Sequence, residues 1–130
     1  NPMKKIVIAL LLASGAGMAL AAGDQCDKPR NDFDDLYCLN KVYAQADKEL
    51  NRLYGSLSKR LNAQDRASLK QGQLQWMRTR NSSCSRNEDD RFFVDLACAT
   101  RTTIERAQFL QDRERECISS GCRSSLLGGQ

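Results

Sequence analysis

The residues best equipped for chemistry in this chain are six cysteines and sixteen carboxylates, and they must act without a single histidine. Without imidazole there is no Ser-His-Asp or Cys-His nucleophile, no His-ligated metal and no histidine pH switch. The cysteines stand at positions 26, 38, 84, 98, 117 and 122. A zinc site would want closely spaced CxxC pairs, and the chain has none. An even count in a short exported chain reads instead as a disulfide framework. Six cysteines allow many pairings; joining sequence neighbours gives Cys26–Cys38, Cys84–Cys98 and Cys117–Cys122. The last pair encloses only four residues and needs Gly121 to let the chain turn back. Paired carboxylates can cleave a glycoside when a cleft holds them about 5 Å or about 6.5–9.5 Å apart. Here the acids cluster in connections and at helix ends, and a small helical domain has little room for a cleft. No enzymatic activity, metal or cofactor is expected.

Charge is laid out in blocks. Residues 52–86 hold eight Lys or Arg and one acid, Asp65, for a net +7. Residues 24–37 hold five Asp against Lys28 and Arg30, and residues 87–95 hold Glu88, Asp89, Asp90 and Asp95 against Arg91, each a net −3. Such a layout can recruit a charged partner, although ordinary surface solubility would also produce it.

The elements that position these groups begin after a leader. Met3-Lys4-Lys5 is a short basic start, downstream of Asn1-Pro2, and Ile6 to Ala13 is an unbroken apolar run. Ala19-Leu20-Ala21 supplies small residues at the −3 and −1 positions of a cleavage site, which predicts a secretory signal peptide over residues 1–21. The 17 residues from Ile6 to Ala22 include Ser14, Gly15 and Gly17, whereas a membrane span wants about 20 mostly apolar residues. Cleavage near Ala21 and Ala22 leaves 109 residues with 18 basic and 16 acidic side chains, a net charge near +2. That is too mild to argue for nucleic acid. The product is expected in the periplasm or outside the cell, with no membrane span after cleavage.

Three helical periods follow. Leu39, Val42, Ala46, Leu50, Leu53, Leu57 and Leu61 recur at steps of three and four, with Gly55 interrupting the stripe. Asn62 is placed to cap a second helix, whose stripe is Leu69, Gln73, Trp76, Arg80 and Cys84. The third stripe is Phe93, Leu96, Ala97, Thr100, Ile104, Ala107 and Leu110. A connection of two or three residues makes the first two an antiparallel hairpin. The expected fold is all-α: an antiparallel helical hairpin plus a third helix, stapled by disulfides. One domain is expected over residues 22–116, with a loose Ser- and Gly-containing tail at 117–130.

Asp47, Asn51 and Tyr54 on the first helix form one motif, with Leu50 between. Gln73, Trp76, Arg80 and Cys84 form a second, and Cys98, Thr103, Arg106 and Leu110 complete the set. This pattern resembles the LprI-like lysozyme-inhibitor family of small exported bacterial helical domains, over roughly Cys26 to Leu110. The resemblance implies binding to a lysozyme-type muramidase in the envelope or outside the cell. The alternative is a periplasmic structural or stress-related interaction protein with no enzyme target. The motif residues read most simply as architecture: Trp76 in the core, Arg80 stacked on it and bridging to a carboxylate such as Asp47. Gln73, Asn51 and Tyr54 would satisfy backbone groups between helices, and Arg106 would join Asp47 and Arg80 in one network. The run from Arg113 to Glu116 reads as a solvated helix end. The candidate recognition element is Arg86 to Arg91, which joins two helices. It carries Glu88, Asp89 and Asp90, the one run of three consecutive acids, and basic lysozyme surfaces would attract it.

Overall fold

The computed structural model describes residues 24–128; the leader expected over residues 1–21 lies outside the described residues. Three long helices carry the molecule: α2 (Asp32–Ser58), α3 (Ala63–Ser83) and α4 (Leu96–Ser119). Single turns stand at either end, α1 (Asp24–Asp27) and α5 (Ser124–Leu127). Between α3 and α4 lies a small antiparallel hairpin, β1 (Ser85–Glu88) and β2 (Arg91–Val94). The architecture is thus mostly helical, as the periodicity implied.

Each long helix starts at a side-chain cap. Asn31, Asn62 and Asp95 accept hydrogen bonds from the backbone N–H groups of Asp34, Asp65 and Cys98. Such caps satisfy donors that the first turn cannot pair internally. Gly55 does not break α2, which runs through it to Ser58.

α3 runs antiparallel to α2 and α4, which are parallel to each other. At one end Ser56 and Arg60 of α2 meet Glu114 of α4. At the other, Leu39 and Val42 share a groove with Ala97 and Ile104. The core consists of Leu50, Leu53, Leu57, Leu61, Leu69, Trp76, Leu110 and Leu127. Its four leucines from the first stripe confirm the period of α2, yet Val42 on the same stripe is exposed. The third stripe is borne out at Thr100 and Leu110, and Ala107 packs against the core, but it is corrected elsewhere. Phe93 belongs to β2, Ala97 and Ile104 are exposed, and α4 also buries Ala99, Thr103 and Arg106. Thr103 and Arg106 are polar, so hydropathy alone does not select them.

All three neighbour disulfides form: Cys26–Cys38, Cys84–Cys98 and Cys117–Cys122. Gly121, at φ +101°, supplies the left-handed turn that the shortest of them requires. The tail is not loose. Beyond this turn α5 folds back onto α3, Leu127 is fully buried, and Ser124 Oγ donates to Asp65 at 2.8 Å. The dock depends on Gly72, where a Cβ would come within 3.0 Å of the Leu127 carbonyl oxygen. The Arg113–Glu116 run is also corrected. Arg113 lies over the Phe109 ring and pairs with Glu116, and only Arg115 of the four is exposed.

Candidate functional site

The acidic run sits at the tip of the hairpin. β1 and β2 pair Ser85 with Val94 and Glu88 with Arg91, leaving Asp89 and Asp90 as a two-residue connection. Both adopt positive φ, 50° and 60°, the signature of a type I′ turn. Aspartate tolerates this left-handed region better than most residues because its short polar side chain bonds locally. Glu88, Asp89, Asp90 and Arg91 are all exposed. At the base, Cys84 and Cys98 are joined, and the Asp95 N–H donates to the Cys84 carbonyl at 2.8 Å. Arg86 lies over the Phe93 ring at 5.0 Å and pairs with Glu88. Asp89 and Asp90 take part in no ion pair among the described residues. The expected polar loop is therefore an ordered, tethered ribbon that presents carboxylates to solvent. Its signal was in the sequence: Arg91-Phe92-Phe93-Val94 is a strand-forming run beside a turn-compatible Asp-Asp.

The motif residues gather elsewhere. Asp47, Asn51 and Tyr54 of α2 face Gln73, Trp76 and Arg80 of α3 across a cleft of about 250 Å³. Trp76 is a core residue at 7% exposure, flanked by the guanidinium groups of Arg80 at 4.9 Å and Arg106 at 5.9 Å. Arg80 also faces Tyr43, and it donates to Asn81 Oδ1 and to Thr103 Oγ1 across the helix interface. The expected Arg80–Asp47 bridge is not formed. Arg80 finds its acceptors on α3 and α4, while Asp47 accepts from Asn51 one turn along α2 at 3.4 Å. Gln73 meets a side chain rather than backbone: its Oε1 accepts from Arg106 Nε at 2.8 Å. Asn51 is exposed and so satisfies no buried group, and Tyr54 is half-buried against the core. Burial pushes the Arg106 guanidinium down to about 10, which leaves it charged at neutral pH. Arg106 lies 4.3 Å over Phe109. Two arginines are thus held between aromatic faces and amide oxygens.

At the far end, Glu114 accepts from Ser56 and Arg60, which hold its carboxyl below the usual carboxylate range. No helix of the described residues is long and apolar enough to cross a membrane.

Compared with known proteins, residues 26–110 match the model of one family, described as lysozyme inhibitor LprI. No curated protein and no solved structure matches the chain.

Proposed function

Because the chain belongs to the LprI lysozyme-inhibitor family, we propose that it is an exported protein that inhibits a lysozyme-type muramidase by occluding the enzyme's cleft. Three disulfides suit an oxidising compartment outside the cytoplasm. The leader at residues 1–21 would direct it there, with cleavage near Ala21.

The observation that carries the reading is the hairpin tip. A muramidase needs one carboxyl protonated and a second carboxylate beside the sugar. An inhibitor can deny the sugar access by filling the cleft, with no chemistry of its own. Glu88, Asp89 and Asp90 stand on a two-stranded ribbon narrow enough to act as such a plug. The Cys84–Cys98 link and the strand pairing order the ribbon before contact, so less entropy is lost on binding. Its carboxylates would pair with cationic groups around the cleft of a basic enzyme and speed the encounter.

The test removes charge while keeping the turn. Asn-Gly is the favoured pair at a type I′ turn, so Glu88→Gln, Asp89→Asn and Asp90→Gly together retain the ribbon. Turbidity clearing of cell-wall suspensions by several lysozymes, with and without each protein, reads the effect. The triple variant should keep its melting temperature and inhibit at least about tenfold less well, with the loss shrinking as salt rises. Unaltered inhibition by the variant would remove the tip from the mechanism. Absence of any slowing by the unaltered protein would sink the inhibitor reading.

A further inference from the structure

The end of the bundle that carries the hairpin also carries an open apolar groove. Between the N-terminal halves of α2 and α4 lies a space of about 490 Å³. Its apolar walls are Leu39, Val42, Ala97 and Ile104, and no α3 residue lines it. Val42 is 44% exposed and Ile104 52% exposed, on helices whose other halves bury Leu50, Leu53, Leu57 and Leu110. Phe33, Leu36 and Tyr37 stand exposed on the first turns of α2 beside it.

A further feature separates this groove from a chance gap: it has carboxylates in its lining. Asp35 and Glu105 line it and take part in no ion pair among the described residues. Arg101 is the one cation of the lining. Asp32 stands unpaired on the same turn of α2 as Asp35, whereas Asp34 is held by Arg30. The two acidic blocks that lie 50 residues apart in sequence, 24–37 and 87–95, are therefore at one end of the folded molecule.

We infer that this groove is a second contact surface for a basic protein partner, and that it receives a lysine or arginine side chain together with a neighbouring apolar one. The aliphatic stem of such a residue lies against Val42 and Ile104, and its cationic head reaches Asp35 and Glu105. The inference rests on the lysozyme reading for the identity of the partner. It adds that the hairpin supplies charge while the groove supplies apolar area, the usual division between rim and core of an interface.

The experiment separates the two surfaces and the two readings. The full chain recovered from the envelope is titrated with an animal-type lysozyme by calorimetry, and with a short synthetic Lys/Leu helical peptide by amide NMR. Val42→Gln with Ile104→Gln should weaken lysozyme binding about tenfold or more, equally at low and high salt, with an unchanged melt. Wild-type affinity in the groove variant, with binding lost in the hairpin variant, overturns the groove and leaves the inhibitor reading standing. If no lysozyme binds but the peptide shifts the amides of Val42, Ala97 and Ile104, the groove stands as a basic-segment site and the inhibitor reading falls. Silence with both probes overturns both.

Discussion

The two ends of this bundle are built on different principles. Where α2 ends, α3 begins and α4 and α5 meet, Leu57, Leu69, Leu110 and Leu127 are fully buried. At the opposite end Phe33, Leu36, Tyr37, Val42, Ile104, Phe92 and Val94 remain exposed. Two of the three disulfides, Cys26–Cys38 and Cys84–Cys98, fall at this second end. Apolar burial holds the closed end. Covalent links hold the open one, where a small chain has too little core to cover its surface. Two staples thus stand where the core is thin, while the third, Cys117–Cys122, packs against the core at the closed end.

The comparison breaks or sharpens through substitution. The largest effect is expected at the junction of the two ends. Trp76→Ala removes the ring that Arg80 and Arg106 share and should cost about 3–5 kcal/mol. Thermal melting checks it; a normal melt with lost binding would move Trp76 from the core to the recognition surface.

A smaller loss is expected from Gly72→Ala, whose new methyl group meets the Leu127 carbonyl and drives α5 off α3. It should lower stability by about 1–3 kcal/mol. Phe33→Ser at the open end, where the ring is 80% exposed, should stay within about 0.5 kcal/mol of the unaltered protein. Equal losses in urea unfolding at the two positions would erase the distinction between the ends.

A pH-dependent effect is expected at Glu114, whose folded-state pKa is lowered chiefly by the Ser56 hydroxyl and further by Arg60. A carboxyl with a lowered folded pKa contributes stability above its unfolded value of 4.5 and loses that contribution as pH falls through the folded value. Glu114→Gln should therefore cost about 1 kcal/mol at pH 7. The gap between variant and parent should close as unfolding is measured at pH values progressively below 4.5. A gap of constant size down to pH 2 would show that the Ser56 and Arg60 contacts do not depend on the charge.

Much of this was legible in the residues and much was not. The stripe Leu50, Leu53, Leu57 and Leu61 announced α2, and Leu69, Gln73, Trp76, Arg80 and Cys84 announced the buried face of α3, because both repeat at helical period. Asn62 announced the start of α3 through the side chain it offers to the first turn. The short Cys117–Cys122 pairing was anticipated through Gly121. Thr103 and Arg106 lay outside the apolar stripe of α4, because they are inward by virtue of what they meet: Arg80, Gln73 and the Phe109 ring. The segment from Arg86 to Arg91 reads in sequence as a plain connection between two helices, since its strands are only four residues each and their pairing is a property of two segments rather than one.

The periods of α2 and α3, the Asn62 cap and the family motif are legible in the residues alone, because each is local or depends on residue type. Only the tertiary structure decided three things. It set α2 parallel to α4, which brings two acidic blocks to one end and opens the groove between them. It folded the tail back, because Gly72 lets a carbonyl approach where any side chain would intervene. And it gave Arg80 and Arg106 their partners on other helices rather than the carboxylate on α2. Each of these turns on distance between segments remote in sequence, and hydrogen bonding, charge pairing and packing all act through that distance.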